Sequence, residues 1–203
     1  MPDNKSFCRT RLTLLEKIRD KHDNDAWADF TFYYRKYIYN ITRRMGLNHH
    51  DAEEVVQTVI IKSWDKLPDF QYDSKKGRFR GWLCRVTGNA VKTYYRDHKK
   101  RFVEYDALEP EQAASHFETF TESEIDILAD QEWEQYIPEL AWKNIENSFE
   151  VNVRQVFYLI KAKMAVSDIA KKIGIAESSV YVYKKRIQDK LHPEMTRLQN
   201  ELG

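Results

Sequence analysis

From residue 26 to residue 45 the apolar side chains Trp27, Phe30, Tyr34, Ile38 and Ile41 return every three or four positions. That spacing lines one face of an α-helix; a half-buried strand would repeat every second residue. The pattern recurs along the chain. Ala52, Val55, Val56, Val59, Ile60 and Trp64 form a second stripe, and Phe79, Trp82, Leu83, Val86, Ala90, Val91 and Tyr94 a third. Further stripes run through Trp133, Ile137, Leu140, Ala141 and Ile145, and through Val153, Val156, Phe157 and Ile160. Only six Gly and five Pro interrupt 203 residues. The chain is therefore expected to be all-α.

Local punctuation sets expected boundaries. A short amphipathic helix over 9–22 carries Leu12, Leu15 and Ile18. Asp25 is expected to N-cap the helix over 26–45, and Gly46 to end it at C′. Asp51, with Glu54 three residues on, has the pattern of a capping box for the next helix, which Pro68 ends. Residues 69–77 read as a loop, and a fourth helix is expected over about 78–100. Its Gly81 and Gly88 lower helix propensity by roughly 1 kcal/mol each against Ala, or let something approach the backbone closely.

The net charge of +1 conceals a strong asymmetry. Residues 1–102 hold 22 Lys and Arg against 13 Asp and Glu, residues 103–150 hold 1 against 14, and residues 151–203 hold 10 against 5. Two basic blocks, the footprint of a polyanion partner, flank an acidic one. The stretch 103–130 lacks clear periodicity and reads as a solvated linker. The expected organisation is thus a helical bundle over 1–102, an acidic linker over 103–130 and a small helical domain over 131–203.

In KKGRFRGWLCRVTGNAVKTYYRDHKKR (75–101) ten of 27 residues are Lys or Arg and only Asp97 is acidic. On a helix Arg85, Asn89, Lys92 and Arg96 share a face, which places an amide inside a basic stripe. Lys75, Lys76, Arg78, Arg80, Arg85, Lys92, Arg96, Lys99, Lys100 and Arg101 are candidate phosphate contacts. Asn89 is the candidate for pairing with a base edge; its alternative is an exposed helix residue with no role.

VSDIAKKIGIAESSVYVYKKRIQDKL (166–191) has Ala170, Gly174 four residues later and Val180 six after that. This is the spacing of a helix-turn-helix: a small residue where helices touch, a glycine at the turn, and an apolar residue on the inner face of the second helix. Ile169, Ile173, Ile175 and Ile187 complete a core. Ser178, Ser179, Tyr181, Val182, Lys184 and Lys185 are then the candidate contacts to duplex DNA. A three-helix bundle that happens to use this turn is the alternative.

Other classes find little support. No apolar run approaches 18 residues, so no membrane span is expected. MPDNKSFCRTR has no apolar region of a secretory signal, and a cytoplasmic location is expected. Cys8 and Cys84 form no CxxC pair. HHDAEE (49–54) sets His49 with Glu53 and His50 with Glu54 four apart, a metal-binding spacing, but no second cluster matches it; a helix start with surface histidines is the other reading. No nucleophile elbow, P-loop or GxGxxG is present, so neither an enzyme nor a cofactor is expected.

Taken in order, these segments resemble a bacterial RNA polymerase sigma factor of the two-domain extracytoplasmic-function type, over roughly residues 9–192. DAEEVVQTVIIKSW resembles the family's helix that docks on the β′ clamp helices, which implies polymerase contacts by Asp51, Glu54, Gln57, Thr58 and Ile61. YDSKKGRFRGWLCRVTGNAVKTYYRDHKKR resembles the segment that reads and opens the promoter −10 element, with a flipped-out base near the loop 71–80 and Asn89. VFYLIKAKMAVSDIAKKIGIAESSVYVYKKRI resembles the −35 reader. RTRLTLLEKIRD, AWADF, GRFRGWL and SVYVYKKRI look like a planctomycete-type subgroup. The resemblance implies core polymerase (clamp helices and β flap), promoter DNA as duplex and melted strand, and an anti-sigma factor as partners. The acidic linker would then follow the polymerase's RNA channel, or act as a soluble tether. The family's usual Thr-Val-Lys-Ser-Arg in the recognition helix is here Ser179-Val180-Tyr181-Val182-Tyr183, and its usual Ser or Thr cap is Ala176. A stand-alone helix-turn-helix regulator with a helical sensor domain is the rival.

Overall fold

The computed structural model describes residues 14–69, 79–102 and 121–202. None of these residues lies in a strand, as the apolar spacing requires. The helices are α1 (Asn24–Arg44), α2 (His49–Lys66), α3 (Phe79–Phe102), α4 (Glu122–Ile145), α5 (Val151–Lys161), α6 (Val166–Ile173) and α7 (Glu177–Leu202). They belong to two compact units, one reaching Gln135 and including Glu201 and Leu202, the other Tyr136–Asn200.

In the first unit α1, α2 and α3 pack pairwise. Phe30, Tyr34, Tyr37, Ile38 and Ile41 of α1 meet Ala52, Val55, Val56 and Val59 of α2 and Phe79, Leu83, Ala90 and Val91 of α3, all buried. Each large side chain contributes about 1.5–3 kcal/mol over leaving it in water. Trp27, Trp82, Val86 and Tyr94, expected on the same stripes, are only half-buried. The expected first helix is shorter than its pattern. Its described part is helical only over 14–17 before the chain turns, although Leu15 and Ile18 are buried; residues 9–13 lie outside the described residues.

The caps differ from expectation by one turn or less. Asp23, not Asp25, caps α1, accepting from the Ala26 N–H at 2.9 Å. Asp25 falls in the first turn, where its charge complements the helix dipole. Asn48, not Asp51, caps α2: its Oδ1 accepts from the Asp51 N–H at 3.0 Å, and its Nδ2 donates to Asp51 Oδ2 at 2.8 Å. Gly46 does end α1, with φ +88°. The Gly46 N–H reaches the Arg43 carbonyl and the Leu47 N–H the Thr42 carbonyl, the double bond of a left-handed helix terminus.

Trp64 leaves the expected stripe and is 40% exposed. Ser63 continues the buried row after Ala52, Val56 and Val59, so Trp64 turns outward and the Lys21 ammonium sits 4.4 Å from its ring centroid.

Residues 122–130, expected in the linker, instead begin α4; residues 103–120 of that linker lie outside the described residues. The helix starts with a true capping box. The Thr121 N–H donates to Glu124 Oε2 at 2.7 Å, and the Glu124 N–H to Thr121 Oγ1 at 3.3 Å. Hydrogen bonds from Thr121 hold the Glu124 carboxyl below the usual carboxylate range. Ile125, Ala129 and Trp133, four residues apart, are buried in the first unit. Trp133 stacks on Tyr34 at 6.4 Å and meets Tyr37 edge-on at 5.2 Å.

The second unit is built on Trp142, Phe149, Val153, Val156, Ile169, Ala170, Val180 and Ile187. Trp142 and Phe157 stack with centroids 3.6 Å apart. α6 ends at Gly174, φ +75°, and α7 then turns Val180 inward. This is the helix-turn-helix expected from the Ala–Gly–Val spacing.

Candidate nucleic-acid interface

The basic stripe of α3 is divided. Its first turns lie against α4. The Arg80 guanidinium, with its side chain only 10% exposed, pairs with Asp130 at 2.6 Å, and Arg85 with Asp126 at 3.0 Å. Arg44 of α1 pairs with buried Glu132 at 2.5 Å. Asp126 and Asp130 are one helical turn apart, so both face α3. Arg80 also lies 5.6 Å from the Trp133 ring centroid, a cation over an aromatic face.

Gly81 and Gly88 mark where this acidic helix approaches. A Cβ on Gly81 would meet Asp126 Oδ1 at 3.6 Å, and one on Gly88 would meet Ile125 Cδ1 at 3.6 Å. These are ordinary contact distances, so a Cβ would fit at either position and the close approach expected there is not what the glycines serve. Between these glycines Cys84 is buried and donates to the Ile125 carbonyl at 3.5 Å. Burial pushes its thiol up to about 12.

Further along α3 the stripe opens. Asn89 and Arg96 are exposed and Lys92 is half-buried; Arg96 lies 3.4 Å from its neighbour Asp97. Lys99, Lys100 and Arg101 continue α3, their side chains outside the description, and Lys75, Lys76 and Arg78 lie outside the described residues. The other side of this end of α3 is tied down. Tyr95 Oη donates to the Met45 carbonyl at 3.4 Å, and Tyr94 stacks on His98 at 3.9 Å. Burial and a hydrogen bond to Asp51 push the Tyr94 phenol up. Asp51 therefore serves α2's first turn and α3 at once.

On α2 the outward face holds Glu54, Gln57, Ile61 and Asp65, all exposed, with Ile61 at 61%. Thr58 is half-buried and donates to the Glu54 carbonyl at 3.1 Å. Of the five residues expected on this face, Asp51 alone is held by side-chain bonds within the protein to other helices or caps. The HHDAEE residues are likewise engaged: His49 Nδ1 bonds Tyr39 Oη at 2.9 Å and Glu53 pairs with Arg35. No metal-ligand cluster occurs among the described residues.

In the second unit Ser178, Lys184 and Lys185 are exposed and Ser179 is half-buried. Tyr181 and Val182 are 59% and 62% exposed. Ser178, Tyr181, Val182 and Lys185 follow the i, i+3, i+4, i+7 rule of a single helix face.

Residues missed by the sequence reading are Asp126, Asp130 and Glu132. Two signals announced them: Thr121-x-x-Glu124, and the four-residue spacing of Ile125, Ala129 and Trp133.

A buried α1–α3 core, an outward polar face on α2 and a basic α3 form one contiguous segment. Residues 33–101 match sigma-70 region 2. Region 2 thus covers most of α1, all of α2 and nearly all of α3. Over 69 residues the chain is 35% identical to the ECF RNA polymerase sigma factor SigW of Bacillus subtilis (strain 168), covering 34% of this chain and 35% of that protein. Over 80 residues it is 26% identical to the ECF RNA polymerase sigma factor SigE of Mycolicibacterium smegmatis, covering 39% of this chain and 30% of that protein. The chain thus spans about a third of the length of these curated relatives. No solved structure matches it. No described helix is long and apolar enough to cross a membrane.

Proposed function

We propose that the chain is a sigma factor of the extracytoplasmic-function type, directing core RNA polymerase to specific promoters in the cytoplasm. The observation that carries this reading is the region 2 match over α1–α3 in a chain that also builds a helix-turn-helix. A stand-alone regulator has no need of region 2, and that rival is not favoured. The role is one of binding, without catalysis or cofactor. The likeness of GRFRGWL and SVYVYKKRI to planctomycete-type sequences supports that subgroup.

Each task has a surface. Glu54, Gln57, Thr58 and Ile61 of α2 face outward and suit docking on the polymerase clamp, with Asp51 holding the helix start in place. Asn89, Lys92 and Arg96 of α3, with Lys99, Lys100, Arg101, Lys75, Lys76 and Arg78, take the −10 strand. Phosphates supply affinity and the Asn89 amide supplies base choice. Arg80 and Arg85 join them only by exchanging Asp130 and Asp126 for phosphate. α7 reads the −35 duplex through Ser178, Ser179, Tyr181, Val182, Lys184 and Lys185, and the second unit meets the β flap. An anti-sigma factor is the expected antagonist. Residues 1–102 would hold polymerase and the −10 element and residues 131–203 the −35 element, with the acidic stretch 103–130, helical from Glu122, between them.

The deciding experiment mixes the purified chain with core RNA polymerase. Co-elution, with promoter-specific transcripts only when both are present, is expected. Tight binding to a palindromic duplex without polymerase, and no stimulated transcription, would refute the proposal.

A further inference from the structure

The first two turns of α7 read Glu177-Ser178-Ser179-Val180-Tyr181-Val182-Tyr183-Lys184. In a helix-turn-helix these turns enter the major groove first. Direct readout there depends on side-chain type. Guanine is read by Arg or Lys, adenine by Asn or Gln, cytosine by Glu or Asp, and thymine by apolar contact with its C5-methyl group. The segment has no Arg, Asn or Gln; its one acid, Glu177, opens it and its one lysine, Lys184, closes it. The next arginine, Arg186, lies 3.5 Å from Glu150 on the loop before α5.

What the segment does present is apolar. Val180 is fully buried and holds the helix to α6. Val182 and Tyr181, by contrast, are among the most exposed large apolar residues described. They sit side by side on the face shared with Ser178 and Lys185. Four lysines of the same helix-turn-helix are exposed: Lys171 and Lys172 at the end of α6, Lys184 and Lys185 one turn along α7. Cations on the element that carries an exposed apolar pair suit a polyanion with a methyl-bearing floor.

We propose that α7 specifies thymine: Val182, with the Tyr181 ring beside it, packs on the C5-methyl groups of one or two adjacent thymines, while the lysines hold the flanking phosphates. This rests on the reading of 166–191 as a duplex-binding element. It turns the departure at 179–183 from a loss of cationic contacts into a change of what is read.

The test uses the full chain with core RNA polymerase and a promoter library randomised over twelve upstream base pairs. Selected templates should carry thymine at one or two adjacent positions. Each such thymine is then replaced by deoxyuridine, which keeps the base pair and removes only the methyl group. Wild-type protein should bind the deoxyuridine duplex about fourfold more weakly, the effect of losing one buried methyl. Val182→Ala should bind both duplexes equally, and Val182→Ile should restore the difference. Val182 is exposed, so its fold should survive, which circular dichroism checks. Equal wild-type binding to thymine and deoxyuridine duplexes overturns the thymine reading while leaving duplex recognition intact. If no upstream sequence is selected at all, duplex reading fails and the thymine proposal fails with it.

Discussion

Arg80 of α3 donates from Nη2 to Asp130 Oδ1 at 2.6 Å and from Nε to the same oxygen at 3.1 Å. The pair is lopsided: the Arg80 side chain is 10% exposed and that of Asp130 58%. Removing the carboxylate strands a nearly buried cation, so Asp130→Ala should destabilise the first unit by about 2 kcal/mol. Arg85 and Asp126 are both about half exposed, and Asp126→Ala should cost under about 1 kcal/mol. Urea midpoints of the two variants measure this, and equal shifts would contradict it.

Glu194 of α7 accepts from Arg197 at 2.6 and 2.8 Å and from Asn144 Nδ2 at 2.8 Å. The Arg197 hydrogen bonds, ahead of the one from Asn144, hold its carboxyl below the usual range. A depressed folded-state value means the contribution is complete above the ordinary carboxylate range and is lost as pH falls through the folded value. The denaturation midpoint of the second unit should therefore fall on acidification, and less steeply in Glu194→Gln. Parallel pH profiles for the two proteins would show that this carboxylate is not responsible.

Gly174 and Lys163 adopt similar left-handed backbone, with φ +75° and +60°. A Cβ at Gly174 meets nothing within 4 Å, so Gly174→Ala is opposed by backbone strain alone, about 1 kcal/mol. Lys163 already bears that strain where α5 ends, its N–H reaching the Ile160 carbonyl at 2.8 Å. Lys163→Gly should stabilise by up to about 1 kcal/mol. Opposite shifts in thermal midpoint are expected, and shifts of the same sign would refute the argument.

Gly88 faces the reverse situation. It lies inside α3 with ordinary contact distances to Ile125 and Met45. Gly88→Ala should gain about 0.5–1 kcal/mol of helix propensity without a clash. A loss of stability would mean that α3 and α4 are closer than these distances allow.

Ile61 is 61% exposed on α2. Ile61→Asp should leave the thermal midpoint unchanged yet weaken core polymerase binding about tenfold, the scale of one apolar anchor. Unchanged affinity in a titration with core polymerase would remove Ile61 from the docking face.

The fold class, the stripes of α1 and α3 and the helix-turn-helix were legible in the order of residues, because helical periodicity and a left-handed glycine are local properties. Burial of Phe30, Val59, Leu83 and Val180 followed from spacing alone. The caps at Asp23 and Asn48 were less legible, since Asp25 and Asp51 are equally good cap residues and only the path of the preceding turn chooses between them. Trp64 went astray because an apolar residue at the edge of a stripe can face either way.

What spacing could not decide was which opposite charges meet. The sequence alone determined that α3 carries a cationic face with an amide in it, and that an acidic stretch follows. Only tertiary structure paired Arg80 with Asp130 and Arg85 with Asp126, leaving Asn89 and Arg96 open. The physical reason is that charge pairing between helices depends on where their apolar stripes dock. Ile125, Ala129 and Trp133 bury themselves in the first unit, and that apolar contact sets the register in which Asp126 and Asp130 reach the arginines.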